Sequence, residues 1–192
     1  MGYLSEETID EITESIDIIP LSKDVDINIY NFDSGIEEYN NFLVSAFSYD
    51  EINVSKTHLL IHKERNLLLG YITLSTDSIK LTQKEKDGSD LADVKFCSIP
   101  AIKIGKLAIN KALPDDVKRK GFGSFLIEWA RGVAFEVNEN GVACKFLTVD
   151  ADIEYNPDTT MFYVKNGFKE NLANRNKNGQ TVSMRLDIIN EE

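Results

Sequence analysis

The sequence has few of the residues from which disulfide and metal frameworks are built. Its 192 residues include two cysteines, Cys97 and Cys144, and two histidines, His58 and His62. The cysteines have no paired spacing, which favours a reduced compartment over a disulfide framework. The histidines share a predicted strand, but no cysteine or carboxylate pattern completes a metal site with them. We therefore expect no metal, and we assign these four side chains to packing or to the surface.

Long apolar runs are absent as well. Runs such as Leu67-Leu68-Leu69 are far shorter than the roughly 20 residues that a membrane-spanning helix needs. No signal-like N-terminus and no internal repeat are visible. At this length one domain with a substantial core is expected. A cytoplasmic protein without a membrane partner is the resulting prediction.

Positive charge is scarce in the first half of the chain. Residues 1–100 carry 8 Lys/Arg against 19 Asp/Glu, whereas residues 101–192 carry 13 of each. Because phosphate contacts dominate nucleic-acid affinity, this acidity disfavours nucleic acid as a partner. It favours a cationic partner such as an amine or a lysine side chain, or it simply keeps the protein in solution.

Hydrophobic periodicity predicts an alternation of helices and strands. Residues 1–20 are predicted as an acidic extension with a short helix, and residues 21–190 as a single domain. The first strand is expected at residues 25–29, and Ser34 with Glu37 forms a possible capping box for the helix that follows. Further strands are predicted at 56–62, 67–78, 99–109 and 145–150, an exposed loop at 80–94, helices to about residue 138 and at 157–165, and two final strands around the turn 176–179.

A cationic glycine turn, Lys118-Arg119-Lys120-Gly121-Phe122-Gly123-Ser124, joins the strand at 99–109 to the next helix. Glycines permit a close backbone approach, and the N–H groups at a helix start attract anions such as a pyrophosphate. By itself such a turn predicts only a generic anion-binding loop.

Together with the segment Asn156 to Phe168, this turn resembles the GNAT family of acetyl-CoA-dependent N-acetyltransferases. The family motif reads Arg/Gln-x-x-Gly-x-Gly/Ala, and Lys118 stands where Arg or Gln is usual. Asn156, Tyr163 and the pair Gly167-Phe168 match a later family motif in order and spacing. The resemblance covers about residues 24–188. It implies an α/β fold in which a mixed, strongly twisted central sheet is flanked by helices.

The resemblance also implies the residues of the site. Acetyl-CoA would be the co-substrate, and Tyr163 would be the general acid that protonates the departing sulfur. Asp150 or Asp152 is the nearest candidate for a general base, although a base is not needed if the amine arrives neutral. The cofactor-binding residues implied are Leu107, Ala108, Ile109, Lys118, Arg119, Lys120, Gly121, Phe122, Gly123, Ser124 and Asn156.

The implied function is acetyl transfer to a primary amine, either a small molecule or a protein amino group, by direct attack in a ternary complex. A narrower resemblance, to the GNAT toxins of toxin–antitoxin modules, is carried by Asp33-Ser34-Gly35, by residues 70–75 and by Lys106-Leu107-Ala108. Those enzymes acetylate aminoacyl-tRNA, so a toxin activity is one alternative. A non-catalytic acyl-CoA-binding module is another. A homodimer is expected from the resemblance alone.

One departure from the family concerns the connection from Ile109 to Lys118. Residues 110–117 make it longer than is usual, and Pro114-Asp115-Asp116 predicts a protruding acidic loop beside the cofactor site.

Overall fold

The structure is a computed structural model that describes residues 5–87, 89–118, 121–173 and 179–189. Its helices are α1 (Glu6–Ser15), α2 (Glu37–Glu51), α3 (Gln83–Asp87), α4 (Phe122–Glu139) and α5 (Thr159–Lys165). Its strands are β1 (Ile16–Pro20), β2 (Lys56–His62), β3 (Leu67–Ile79), β4 (Ile99–Ile109), β5 (Phe146–Asp152), β6 (Lys169–Glu170) and β7 (Thr181–Asp187).

The strands form a mixed seven-stranded sheet in the order β1-β2-β3-β4-β5-β7-β6. Strand β2 pairs antiparallel with β1 on one side and with β3 on the other. Strand β7 likewise pairs antiparallel with β5 and with β6. The insertion of β7 between β5 and β6 shows that the last strand crosses over its predecessor. The α/β fold class predicted from sequence is confirmed.

The chain forms two compact units. One comprises Gly2–Ser75 with Ile104–Trp129, and the other comprises Thr76–Lys103 with Ala130–Glu192. In the first unit α2 packs on β2 and β3 around a buried core that includes Leu43, Ala46, Leu59 and Tyr71. In the second, a core cluster forms around Ile79, Leu91, Ile99, Ala101 and Phe146. That the chain is a single domain over residues 21–190 stays a prediction.

Two predictions near the N-terminus are wrong. The segment expected as the first strand instead contains a 3-10 helix at Ile27–Ile29, because the Asp26 side chain accepts the Asn28 N–H and closes a tight turn. The first strand is β1, which pairs with β2 and directly follows α1. No side-chain cap stabilises the start of α2, so the predicted capping box is wrong as well. The Ser34 hydroxyl instead donates to Asn40 at 2.7 Å.

Two loop predictions also need correction. The expected loop at 80–94 contains the short helix α3. The connection 110–117 protrudes less than expected, because Leu113 and Val117 are buried on either side of the exposed residues Pro114, Asp115 and Asp116. Asp116 in this connection also accepts a hydrogen bond from Arg65 at 2.5 Å.

Candidate functional site

The C-terminal end of β4 packs so closely on the neighbouring strand β3 that position 70 of β3 must be a glycine. A Cβ placed on Gly70 of β3 would lie 2.7 Å from the Ala108 carbonyl oxygen and 2.7 Å from the Ile109 side chain. A real Cβ does not come so close to a backbone oxygen, so the two strands can pack this way only without a side chain at position 70. The predicted pantetheine-binding residues Leu107, Ala108 and Ile109 therefore lie in a strand segment whose position depends on this close contact.

Asn110 fixes the point at which the chain leaves β4. Its side-chain nitrogen donates to the carbonyls of Leu68 at 2.9 Å and Asn31 at 3.1 Å. Its side-chain oxygen accepts the N–H groups of Ala112 at 2.9 Å and Asp33 at 3.2 Å. The residue is 6% exposed, and a buried amide with all these bonds joins three separate segments. Sequence reasoning missed Asn110, since nothing in its local pattern distinguishes it from a turn residue.

The glycine turn begins a helix as predicted. Gly121 has a φ of +107° and immediately precedes α4, and its carbonyl accepts the Phe125 N–H at 2.8 Å. Because this φ is strained for any other residue, glycine sets the direction in which α4 starts. Phe122, Gly123 and Ser124 form the first turn of α4, and the first N–H groups of an α-helix point out of its N-terminal end. An anion fits such a turn.

The cations of the turn are only partly described. Lys118 is exposed, and its ammonium donates to the Lys111 carbonyl at 3.2 Å. Arg119 and Lys120 lie outside the described residues.

Tyr163 lies on α5 and is 6% exposed. Its ring packs edge-on against Phe162 and Phe168, with ring centroids 5.1 and 5.2 Å away. Two aromatic contacts fix the ring plane and therefore the direction of the phenol. This geometry suits a group that delivers a proton to a fixed point, and it also gives the ring a packing role.

The two carboxylates considered as bases differ in their surroundings. Asp150 accepts a hydrogen bond from the Lys103 ammonium at 2.6 Å, and its side chain is 40% exposed. Asp152 accepts the Glu154 N–H at 3.1 Å where β5 ends. The Lys103 ammonium therefore already occupies the Asp150 carboxylate, at the position where an acceptor amine would have to approach a base.

Asn156 forms a local turn. Its side-chain oxygen accepts the Asp158 N–H at 3.0 Å, and its carbonyl accepts the Thr159 N–H at 3.0 Å. These bonds organise the start of α5, and a cofactor contact by Asn156 stays a prediction.

The described residues contain no group of three or more His, Cys, Asp or Glu side chains that could hold a metal ion. Within the same residues, no helix is both long and apolar enough to cross a membrane.

A mixed sheet whose central strand leads through a glycine turn into a helix, followed by an aromatic-bearing short helix, defines the GNAT fold. Solved structures of GNAT toxins share this fold with the chain. No protein-family model matches the sequence, and no curated protein matches it significantly.

Three of the similar structures illustrate the relationship. A tyrosine-to-phenylalanine mutant of KacT is 22% identical, with a TM-score of 0.69 over 89% of this chain and 95% of KacT. AtaTR bound with acetyl-CoA is 22% identical, with a TM-score of 0.66 over 90% of this chain and 94% of that one. AtaT complexed with acetyl-methionyl-tRNAfMet is 21% identical, with a TM-score of 0.70 over 90% of this chain and 94% of that one.

Proposed function

We propose that the chain is an acetyl-CoA-dependent N-acetyltransferase of the toxin type, which acetylates the α-amino group of an aminoacyl-tRNA. The observation that carries the proposal is the Gly121 turn at the start of α4, following the close-packed end of β4, in a fold shared with solved toxins. The complex of AtaT with acetyl-methionyl-tRNAfMet supports the choice of acceptor. It also weakens the expectation from charge that nucleic acid is disfavoured as a partner.

The residues present fit acetyl-CoA. Backbone groups of Leu107, Ala108 and Ile109 would hold the pantetheine arm, in a strand segment that packs too closely on Gly70 to leave room for a side chain there. The first turn of α4, with Lys118 and the predicted cations Arg119 and Lys120, would hold the pyrophosphate. The thioester supplies an activated acetyl group.

The transfer itself would require three proton movements. The acceptor ammonium would lose a proton to solvent, and the neutral nitrogen would form a bond to the acetyl carbonyl carbon. As the carbon–sulfur bond breaks, the new amide nitrogen would lose its extra proton to water, and Tyr163 would donate its phenolic proton to the departing thiolate and regain one from water. A phenol keeps its proton at neutral pH, so Tyr163 would act as a neutral acid in this step.

The lack of an assigned general base favours an α-amino acceptor. An α-amino group has a pKa of about 8, compared with about 10.4 for a lysine side chain, so far more of it is neutral at physiological pH. With Asp150 held by Lys103, an acceptor that deprotonates readily suits the site better than an alkylamine. The same argument extends to the amino termini of peptides.

A second candidate acceptor, a small amine or a protein amino group, is favoured by the pairing of the cations. In the described part of the chain several ammonium and guanidinium groups lie within 4 Å of carboxylates, which lowers their attraction for a phosphate backbone. The pairs are Lys63–Asp17, Arg65–Asp116, Lys103–Asp150, Lys106–Glu38, Lys145 with Asp90 and Asp187, and Arg185–Glu85.

The deciding experiment measures coenzyme A release from acetyl-CoA with methionyl-tRNA, free amino acids and esters, polyamines and lysine peptides as acceptors. Rapid release with methionyl-tRNA alone is the expected result. Release with a small or lysine amine alone would replace the tRNA assignment, and acetyl-CoA binding without release would favour a non-catalytic module. A cytoplasmic location and a homodimer stay predictions.

A further inference from the structure

Gly105 is an exposed residue in the middle of the central strand of the sheet. Strand β4 is the fourth of seven strands and lies between β3 and β5. From Ala101 to Ile109 every residue is buried or half-buried except Gly105, which is exposed. A strand with a neighbour on each side can be reached only from a face of the sheet, so the backbone of β4 is uncovered on one face at this point.

The fold does not require a glycine at position 105. A Cβ added there would lie 3.7 Å from the Thr73 carbonyl oxygen and 3.8 Å from the Thr73 Cγ2, which are ordinary contact distances, and its φ lies outside the left-handed region. Gly70 differs, because a Cβ there would meet a backbone oxygen at 2.7 Å. A glycine weakens a strand, and within one it often marks a place where a ligand approaches the backbone closely. Gly105 therefore leaves the backbone of β4 accessible.

Thr73 of β3 gives this opening an apolar side. The Thr73 and Thr57 hydroxyls are hydrogen-bonded to each other at 3.0 Å, and both residues are buried. The methyl carbon Cγ2 is the side-chain atom of Thr73 that lies within 4 Å of the Cβ position of Gly105. An alkyl group lying on Gly105 would therefore meet a methyl group and not a hydroxyl.

The neighbouring cation is engaged elsewhere. The Lys106 ammonium lies 4.3 Å from the centre of the Tyr39 ring and forms an ion pair with Glu38, both on α2. The charge of Lys106 is thus held at the helix. An uncharged alkyl group is the kind of ligand that suits bare backbone beside a methyl group.

The order of the groups in acetyl-CoA brings its acyl group to this opening. The proposed pyrophosphate site is the first turn of α4, and the proposed pantetheine site is Leu107–Ile109 at the end of β4. The thioester is at the far end of the pantetheine arm from the pyrophosphate, so it would lie further towards the start of β4. Gly105 is two residues beyond Leu107 in that direction, roughly 7 Å along the strand at about 3.3 Å per residue. These segments belong to the same compact unit.

We propose that Gly105 is the floor of the acyl site, and that the space above it admits straight-chain acyl groups longer than acetyl, so that propionyl-CoA and butyryl-CoA are also donors. The proposal rests on the proposed acetyltransferase function. The bonds that change are those of acetyl transfer: the amine nitrogen bonds to the acyl carbon, the carbon–sulfur bond breaks, and the thiolate takes a proton. The added methylene groups take no part in the chemistry.

The first test measures binding without turnover. Gly105→Ala places one methyl group in the proposed site without straining the strand, and Gly132→Ala on α4 is the matched control because no atom lies within 4 Å of its added Cβ. Calorimetry without an acceptor gives the affinities for coenzyme A and for butyryl-CoA. Because an extra methylene forced into a packed site is costly, we expect Gly105→Ala to bind butyryl-CoA about 10-fold more weakly and free coenzyme A within about 2-fold. The control is expected to change neither affinity.

The second test measures coenzyme A release from acetyl-, propionyl- and butyryl-CoA with one acceptor. One methylene in an apolar pocket can change kcat/KM by about 10–200-fold. We expect the unsubstituted protein to use propionyl-CoA and acetyl-CoA with kcat/KM values within about 10-fold of each other. Gly105→Ala is expected to keep acetyl transfer within about 3-fold and to lose about 10-fold or more with butyryl-CoA.

Other outcomes contradict the proposal. Rejection of propionyl-CoA by the unsubstituted protein would remove the longer donors, and the same chain-length preference in Gly105→Ala would place the acyl group elsewhere. Weaker binding of free coenzyme A in Gly105→Ala would show that the alanine disturbs the cofactor strand and not an acyl site. Coenzyme A release that no acceptor stimulates, with any of the three donors, would instead refute the acetyltransferase function, whereas the calorimetric comparison would still report whether an acyl group lies on Gly105.

Discussion

The carbonyl oxygen of Ala108 lies so close to Gly70 that a Cβ on Gly70 would be 2.7 Å from it. One strand thus determines the backbone position of the other at the residues expected to bind acetyl-CoA. We therefore expect Gly70 in β3 to affect cofactor binding, although it belongs to no cofactor motif.

Replacing Gly70 with alanine is expected to weaken acetyl-CoA binding. The new methyl group must push the Ala108 and Ile109 backbone away, so we expect the KM for acetyl-CoA to rise about 10-fold, equivalent to about 1.4 kcal/mol. Gly132→Ala is the matched control, because no atom lies within 4 Å of its added Cβ on α4. That control is expected to stabilise the protein by about 0.5–1 kcal/mol. An unchanged KM in Gly70→Ala would show that the strand segment does not hold the cofactor.

Tyr163→Phe tests the proton donor. The aromatic contacts with Phe162 and Phe168 need only the ring, so the variant is expected to keep its fold and its affinity for acetyl-CoA. Loss of a general acid lowers kcat by about 10²–10⁴-fold. Coenzyme A release and calorimetric binding measured on one preparation separate the two effects. An acetylation rate equal to that of the unsubstituted protein would assign Tyr163 a packing role alone.

Asn110→Asp tests the junction at the end of β4. The substitution preserves the shape of the side chain but replaces two donors with a carboxylate oxygen facing the carbonyls of Leu68 and Asn31. We expect the free energy of unfolding to fall by about 2–3 kcal/mol, as for other buried groups left without a partner. Asn41→Asp, at an exposed position of α2, is the control and should change stability little. Denaturant titration measures both, and similar midpoints would contradict the role of Asn110.

Acid is expected to destabilise the protein through His58. Its ring contacts Trp129 with a centroid distance of 4.6 Å, and its Nδ1 is buried without a hydrogen-bond partner. Burial lowers the pKa of His58 below its ordinary 6.5, and Asp50 opposes this to a smaller extent. The unfolded chain therefore binds a proton more readily than the folded one, so stability is lost as pH falls from about 6.5 towards the lower folded pKa. Melting temperatures between pH 7.5 and 5.5 should fall less in His58→Gln, and parallel curves would exclude His58 as the cause.

The sequence predicted the central strands well because their burial imposes a clear pattern. Strands β2 and β4 have the predicted bounds, and their apolar residues pack in the core. Strand β1 was missed because Asp17 and Pro20 interrupt its pattern. An edge strand tolerates both, since one side of its backbone needs no partner in the sheet. Val25, Ile27 and Ile29 alternate as a strand would, but the local hydrogen bond from Asn28 to Asp26 defines a turn.

Some residues of the candidate site were likewise predictable from the sequence, and others were not. The glycine turn and Tyr163 are visible in sequence because each belongs to a short motif with fixed spacing. Asn110 is not, because its partners lie far away along the chain. Asn110 contacts Asp33, 77 residues away, and the strand residue Lys106 likewise pairs with Glu38, 68 residues away. Only the fold brings these groups together, so no local sequence pattern predicts their contacts.

The packed connection between β4 and the glycine turn affects how readily the protein can receive a ligand. Leu113 and Val117 are buried, and Asp116 is tied to Arg65, although an exposed ion pair of that kind contributes only about 0–1 kcal/mol. The apolar anchors therefore hold the connection, and added salt will not release it. Its conformational entropy is lost when the chain folds, so a nucleotide that arrives at the adjoining turn meets a preorganised surface and need not order it.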